Sequence, residues 1–439
     1  MSSYVRKKTP GKTDWFVHDR FGMFLHFGLY ALPARHEWIK TREFISEEAY
    51  QTYFDHFDPD LLDAREWARE AKAAGMKYAV LTTKHHEGFC LFDSKYTEYK
   101  STNTPYGKDI VREFVDAFRA EGLKIGFYYS LLDWHHPDYP LDRNHPRRND
   151  SDAAELDRGR DMKKYAEYMR NQVTELLTNY GKIDILWFDF SMTPMDNPPA
   201  WMQFGGGKGK DEWESEKLIA LCRELMPDII INDRTQLPQD LTTPEQTQPD
   251  RWMQDPESGE YLTWEACQTF SGSWGYHREE SSWKTPGMLI NLLVDSVAFG
   301  GNLIMNVGPN GRGAFDHRAK AALKVYADWM RLNSRSIYGC TMAEPGLKVP
   351  DGVRLTQSED GKRLYIHLCH FAFNRLVLEG LSADRIEYMQ LLSDGGEIQY
   401  AERRDGHDAA GNRLPPYIRI SVTDSVFTEP NAVIEVFLK

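Results

Sequence analysis

Cysteine is scarce in this chain. Cys90, Cys222, Cys267, Cys340 and Cys369 are an odd number, and no two are spaced C-x-x-C. That pattern disfavours a disulfide framework and a thiolate zinc site, and it fits a reducing compartment. Each cysteine reads as a small buried apolar side chain. Basic charge is also short: 53 Lys and Arg against 66 Asp and Glu leave a net charge of -13. Broad duplex nucleic-acid surfaces and anionic membranes call for the opposite sign. No apolar run reaches the roughly 18 residues of a spanning helix. The basic stretch 1–8 is followed by no apolar h-region, so the chain is expected to be cytoplasmic, or to have already lost a signal. No G-x-G-x-x-G follows the first apolar strand, and the Gly-Lys pair ending the glycine-rich loop 205–210 lacks the Ser/Thr of a P-loop. Internal repeats and low-complexity tracts are absent.

Aromatic residues are plentiful, with 12 Trp, 22 Tyr and 22 Phe. That richness argues against disorder. It serves core packing first, and flat apolar faces also suit carbohydrate rings. At about 150 residues per domain, 439 residues give two to three domains. Up to residue 340, strand-like and helix-like segments alternate. Apolar runs at 21–30, 77–83, 124–130, 184–190, 228–234, 261–267 and 302–307 read as strands. Between them, 63–75, 108–122, 154–180, 212–226, 286–300 and 317–334 read as helices. This predicts a parallel sheet wrapped in helices, a (β/α)8-like barrel with insertions over 1–340, with a doubly wound open sheet as runner-up. Short strands at 353–356, 363–369, 375–378, 387–392, 397–400, 417–422 and 432–437, some separated by turn signals, predict an all-β sandwich over 341–439.

A barrel of this kind places chemistry at the C-terminal ends of its strands. Five successive strand candidates finish in polar side chains. These are His26; His85, His86 and Glu87; Tyr128 and Ser130, with Asp133, His135 and His136 beyond; Asp189; and Asn232, Asp233 and Arg234. Asp189 sits in LWFDF, where a carboxylate loses hydration and must find partners. It is either an anchor for loop backbone or a nucleophile or base aimed into the barrel mouth. Adjacent histidines on a strand point to opposite faces, so the two His pairs rarely share one ion. A neutral imidazole both donates and accepts, which suits a polyhydroxylated ligand. Glycoside cleavage needs a second carboxyl. Glu245, Glu257, Glu260 and Glu265 all lie in the loop-rich region after Arg234, and the residues alone do not choose among them.

Taken in order, these segments resemble the α-L-fucosidases of glycoside hydrolase family 29. The resemblance runs from about residue 15 to 339. It is carried by FGMFLHFGLY (21–30), LTTKHHEGFC (81–90), FYYS (127–130), WFD (187–189), NDR (232–234), DLTTPEQ (240–246), WE (264–265), SWGY (273–276) and NLIMNVGP (302–309). It implies a metal-free, cofactor-free retaining exo-glycosidase that acts on terminal α-L-fucosyl linkages of oligosaccharides or glycoconjugates. Asp189 matches the nucleophile. Glu245 aligns best with the acid/base, and Glu265 is the reserve candidate or a structural partner. His26, Glu37, Trp38, His85, His86, Tyr128, Arg234 and Trp274 match positions that line the fucose pocket. Two departures stand out: Phe190 where many members have Gly, and Phe27 where Trp is frequent. Phe190 and the 197–210 loop are expected to alter the leaving-group side. The competing readings are a metal-dependent hydrolase on the same barrel and a non-catalytic sugar-binding protein. No nucleic acid or membrane partner is expected, a homo-oligomer is left open, and the β domain is expected mainly to pack on the barrel.

Overall fold

The computed structural model describes residues 4–192, 204, 207–370, 375–404, 406–407, 410–413, 415–422, 426 and 430–439. Most of the 197–210 loop, singled out above, lies outside the described residues.

Seven parallel strands build the first sheet: β1 Phe21–Leu25, β2 Tyr78–Lys84, β3 Lys124–Ser130, β4 Ile185–Asp189, β5 Ile230–Ile231, β6 Glu265–Thr269 and β7 Asn302–Val307, in the order β5-β4-β3-β2-β1-β7-β6. Their side chains alternate between two cores, as the period of two requires. Phe24, Tyr78, Val80, Tyr128, Ile185, Trp187, Ile230, Cys267 and Ile304 share the lumen cluster. Their neighbours Met23, Leu25, Ala79, Leu81, Phe127, Leu186, Ala266 and Leu303 pack outward against the helices. Capping residues start those helices. The Asp63 carboxylate accepts the amides of Arg65 and Glu66 ahead of the helix Ala64–Ala73, and Asp109 accepts that of Arg112 ahead of Ile110–Ala120.

The sheet is a TIM-like half-barrel. The gap between β5 and β6 is spanned by residues 240–246, which form isolated parallel bridges Asn232–Leu241, Thr242–Trp264 and Glu245–Cys267. Leu241 points into the lumen cluster. An irregular segment thus takes the place of the eighth strand.

Several elements differ from the sequence reading: the strand expected over 21–30 stops at Leu25, the one expected over 397–400 is shifted to Tyr400–Arg403, and the strand Cys340–Met342 is additional. The helix expected over 154–180 is two, Ala153–Asp157 and Met162–Asn179, interrupted near Gly159 at φ +91°. The strand expected over 228–234 shrinks to Ile230–Ile231. The strand expected over 261–267 is shifted to Glu265–Thr269.

The C-terminal strands are β8 Cys340–Met342, β9 Val353–Ser358, β10 Arg363–Leu368, β11 Arg375–Glu379, β12 Ile386–Leu391, β13 Tyr400–Arg403, β14 Tyr417–Ser421 and β15 Ala432–Leu438. They form a sheet β12-β15-β10-β9-β8 and a sheet β11-β14-β13. Leu376, Ile418 and Ile420 of the second meet Leu364, Ile366, Ile434 and Val436 of the first in one core, which makes a sandwich.

Candidate active site

At the C-terminal ends of the parallel strands lies a cavity of about 460 Å³, counted with its open mouth. Two of its polar groups continue the lumen-facing period by one step, His26 after Phe24 and Asp189 after Trp187; Asn306, which follows Ile304 in the same way, contacts His26 Nδ1 at 2.6 Å. The ten residues named above as catalytic or fucose-lining all border this cavity, together with Phe24, Trp187, Phe190 and Cys267.

Asp189 ends β4. Its Oδ2 accepts the Tyr128 hydroxyl at 2.8 Å, and its Oδ1 accepts Arg234 Nη1 at 3.1 Å. Burial pushes its carboxyl up to about 6, against the pull of the Arg234 guanidinium; Glu245 raises it further, and the Tyr128 hydroxyl and the Phe190 amide lower it. Arg234 lies over the Trp187 ring at 4.9 Å. It is anchored through Nε to Thr243 Oγ1 at 3.0 Å, and its Nη2 reaches Glu245 Oε2 at 3.0 Å. One guanidinium therefore holds both candidate catalytic carboxylates. Glu245 sits on the segment that replaces the eighth strand, with 43% of its side chain exposed.

Both histidines of the 85–86 pair face this cavity. The strand ends at Lys84, and a turn closed by the Gly88 amide on the His85 carbonyl at 3.0 Å follows, so alternation no longer applies. Gly88 takes φ +84°, and a Cβ there would stand 2.3 Å from Asp133 Oδ1. The His85 and His86 rings lie 4.0 Å apart.

The hydrogen-bond network assigns two tautomers. Asn306 Nδ2 donates to the Trp274 carbonyl at 2.6 Å, so its Oδ1 accepts His26 Nδ1 at 2.6 Å. The Ser130 hydroxyl donates to the Leu132 carbonyl at 2.8 Å and so accepts His86 Nδ1 at 2.6 Å. Burial pushes His26 down to about 3, and it pushes His86 well below its ordinary range. Each ring then carries a lone pair on Nε2, and that of His86 lies 3.8 Å from Asp189 Oδ2. The cavity accordingly offers acceptors to a ligand that carries hydroxyl donors.

Glu37 Oε2 accepts the Gly275 amide at 2.8 Å, its buried Oε1 lies 3.2 Å from His36 Nδ1, and burial pushes the carboxyl up to about 7. Aromatic rings complete the walls. Trp274 lies 5.2 Å from His26, and Trp38 lies 4.9 Å from His86.

Glu265 does not join them. It opens β6, at the strand end remote from the mouth, and is fully buried with Tyr78 donating to its Oε1. Burial pushes it up to about 8. This placement corrects the reserve acid/base reading and fits the structural one. Among the described residues no group of three His, Cys, Asp or Glu side chains is arranged to hold a metal ion. Sequence reasoning passed over Asn306, Phe24 and Trp187. Each had a signal: a polar residue ending an apolar strand, or a position two residues from a chosen one.

A parallel barrel whose mouth presents two carboxylates on one arginine, beside sugar-compatible rings and imidazoles, defines a glycoside hydrolase. A family model described as "Alpha-L-fucosidase" matches residues 3–335, and the chain belongs to that family. Alpha-L-fucosidase isoenzyme 1 from Paenibacillus thiaminolyticus is 44% identical, with TM-score 0.86 over 97% of this chain and 98% of that one. A family 29 α-L-fucosidase from Bacteroides thetaiotaomicron, described as a trapped covalent intermediate in complex with 2-fluoro-fucosyl fluoride, is 28% identical, with TM-score 0.80 over 100% and 98%. The plasma alpha-L-fucosidase of Homo sapiens is 30% identical over 355 residues, 74% of this chain and 68% of that protein.

Proposed function

We propose that the chain is a retaining exo-α-L-fucosidase that releases terminal fucose from oligosaccharides or glycoconjugates. The observation that carries this reading is the Arg234 guanidinium shared by Asp189 and Glu245. It keeps the two carboxylates close, as a covalent mechanism requires. A covalent intermediate described for the Bacteroides relative supports the same route.

Asp189 attacks the anomeric carbon while Glu245 gives a proton to the leaving oxygen. A bond forms from carboxylate oxygen to carbon, and the glycosidic bond breaks. Glu245 then takes a proton from water, which attacks the same carbon and frees Asp189. Tyr128 and Arg234 keep Asp189 anionic. The Nε2 lone pairs of His26 and His86 accept sugar hydroxyls, and Trp38 and Trp274 cover C–H faces.

The test is release of 4-nitrophenol from 4-nitrophenyl α-L-fucoside. Asp189→Ala is expected to cut kcat by several orders of magnitude, with azide restoring turnover and giving β-fucosyl azide. Wild-type turnover in purified Asp189→Ala would refute the nucleophile assignment. Glu245→Ala is expected to slow poor leaving groups far more than activated aryl ones, because an aryl oxide needs little protonation. Equal losses would move the acid role to another group.

A further inference from the structure

Phe190 stands directly after Asp189 at φ +74°. A bulky residue in this left-handed region is strained, and such strain persists where surrounding contacts impose it and clusters at functional sites. Here the contacts are aromatic. The Phe190 ring lies 5.3 Å from Trp38 and 5.3 Å from His86, and Trp38 meets Trp134 edge-on at 5.4 Å.

His26, Glu37, His85, His86 and Tyr128 are buried and form the floor of the cavity, whereas Phe190 and Trp38 are only partly buried. A pocket that removes a terminal sugar holds that sugar on its floor and meets the leaving group at its rim. The rim has an ionic part, Arg234 with Glu245, and an aromatic part, Trp38 with Phe190.

We infer that Phe190, packed against Trp38, forms a leaving-group subsite that stacks the C–H face of a pyranose and is its specificity-determining residue. This rests on the fucosidase reading above.

The experiment compares kcat/KM on a neutral fucosyl-hexose disaccharide with kcat/KM on α-L-fucosyl fluoride, whose leaving group has no ring to stack. Phe190→Gly suits φ +74° without strain, so its folding is not at issue. It is expected to lower the disaccharide-to-fluoride ratio by about 10-fold or more, the scale of discrimination that one apolar contact surface supplies. Phe190→Tyr, which keeps the flat face, is expected to restore most of that ratio. A ratio unchanged in Phe190→Gly overturns the subsite, as does an equal loss on both substrates, which would mean that Phe190 acts only through Asp189. Wild-type protein inert toward both substrates would instead overturn the fucosidase reading itself.

Discussion

Asp189 is a carboxylate that burial tries to neutralise and that two donors keep ionised. The Tyr128 hydroxyl, at 2.8 Å, is one of them. A hydrogen bond to a charged group is worth about 1.5–3 kcal/mol, and one pKa unit corresponds to about 1.4 kcal/mol. Tyr128→Phe removes a stabiliser of the anion, so the Asp189 pKa rises further above about 6. The acidic limb of the kcat/KM profile is then expected to move up by about one pH unit or more, read against a substrate whose leaving group needs no protonation. A limb that stays in place would mean that Asp189 does not control it. Much at this scale is legible in the chain. A polar residue interrupting an apolar strand is conspicuous, and His26, Asp189 and Asn306 each extend a lumen-facing alternation. The convergence of His85 and His86 is less so, because strand periodicity sends neighbours apart and only the turn after Lys84 reverses that. The burial of Glu265 was equally hidden: a Glu beside Trp264 looks the same whether β6 ends or begins there.

The element that carries Glu245 is not a regular strand, and isolated backbone bridges and side chains together hold it on the barrel. Asn232 explains part of this. Its Oδ1 accepts the Phe188 amide at 2.9 Å and its Nδ2 donates to the Phe188 carbonyl at 2.8 Å, so a side-chain amide replaces the backbone ladder and β5 stops at two residues. No periodicity announces such a substitution, which is why the apolar pattern predicts a strand running to Arg234. Asp240 then anchors the next segment. Fully enclosed, its carboxylate accepts the Gly11 amide at 2.7 Å, the Ile231 amide at 2.8 Å and the Arg223 guanidinium. Removing one partner of a buried ion pair costs about 3–5 kcal/mol, because the other charge stays unpaired. Asp240→Ala is therefore expected to lower the urea midpoint of unfolding and also to reduce turnover of unactivated fucosides, since residues 240–246 position Glu245. Asp240→Asn, which keeps one acceptor oxygen, is expected to lie between. Full stability in Asp240→Ala would show that the bridges to Asn232 and Trp264 suffice without the anchor.

Across the whole molecule, the barrel and the sandwich share buried surface. Tyr365 and Val433 of the sandwich belong to the barrel's outer core, Trp329 Nε1 donates to the Asn431 carbonyl at 2.9 Å, and Arg354 pairs with Asp295 at 2.8 Å. Such contacts are invisible to a reading that divides the chain by texture at 340. Residues 1–340 expressed alone are accordingly expected to aggregate; a soluble, active fragment would show the sandwich dispensable. The buried titratable groups set a second property of the whole. Burial pushes Glu37 and Glu87 up to about 7 and Glu265 up to about 8, from the ordinary 4.5 of a glutamate. Between 4.5 and those values the unfolded chain has released protons that the native state keeps, so stability falls as pH rises. Burial pushes His26, His145 and His367 down to about 3 and His36 to about 4 from 6.5. Below 6.5 the unfolded chain takes up protons that the native imidazoles refuse, so stability falls as pH drops. The two sets oppose each other between 4.5 and 6.5, and above 6.5 only the carboxyls act. The melting temperature is expected to fall from pH 6.5 to 8 and again below 4.5. Glu265→Gln keeps an acceptor for Tyr78 but removes one titrating carboxyl, so it should flatten the alkaline fall and leave the acidic one intact. An alkaline limb identical in Glu265→Gln and wild type would mean that Glu265 is already ionised in the native barrel, and that Tyr78 faces a carboxylate instead of a carboxylic acid.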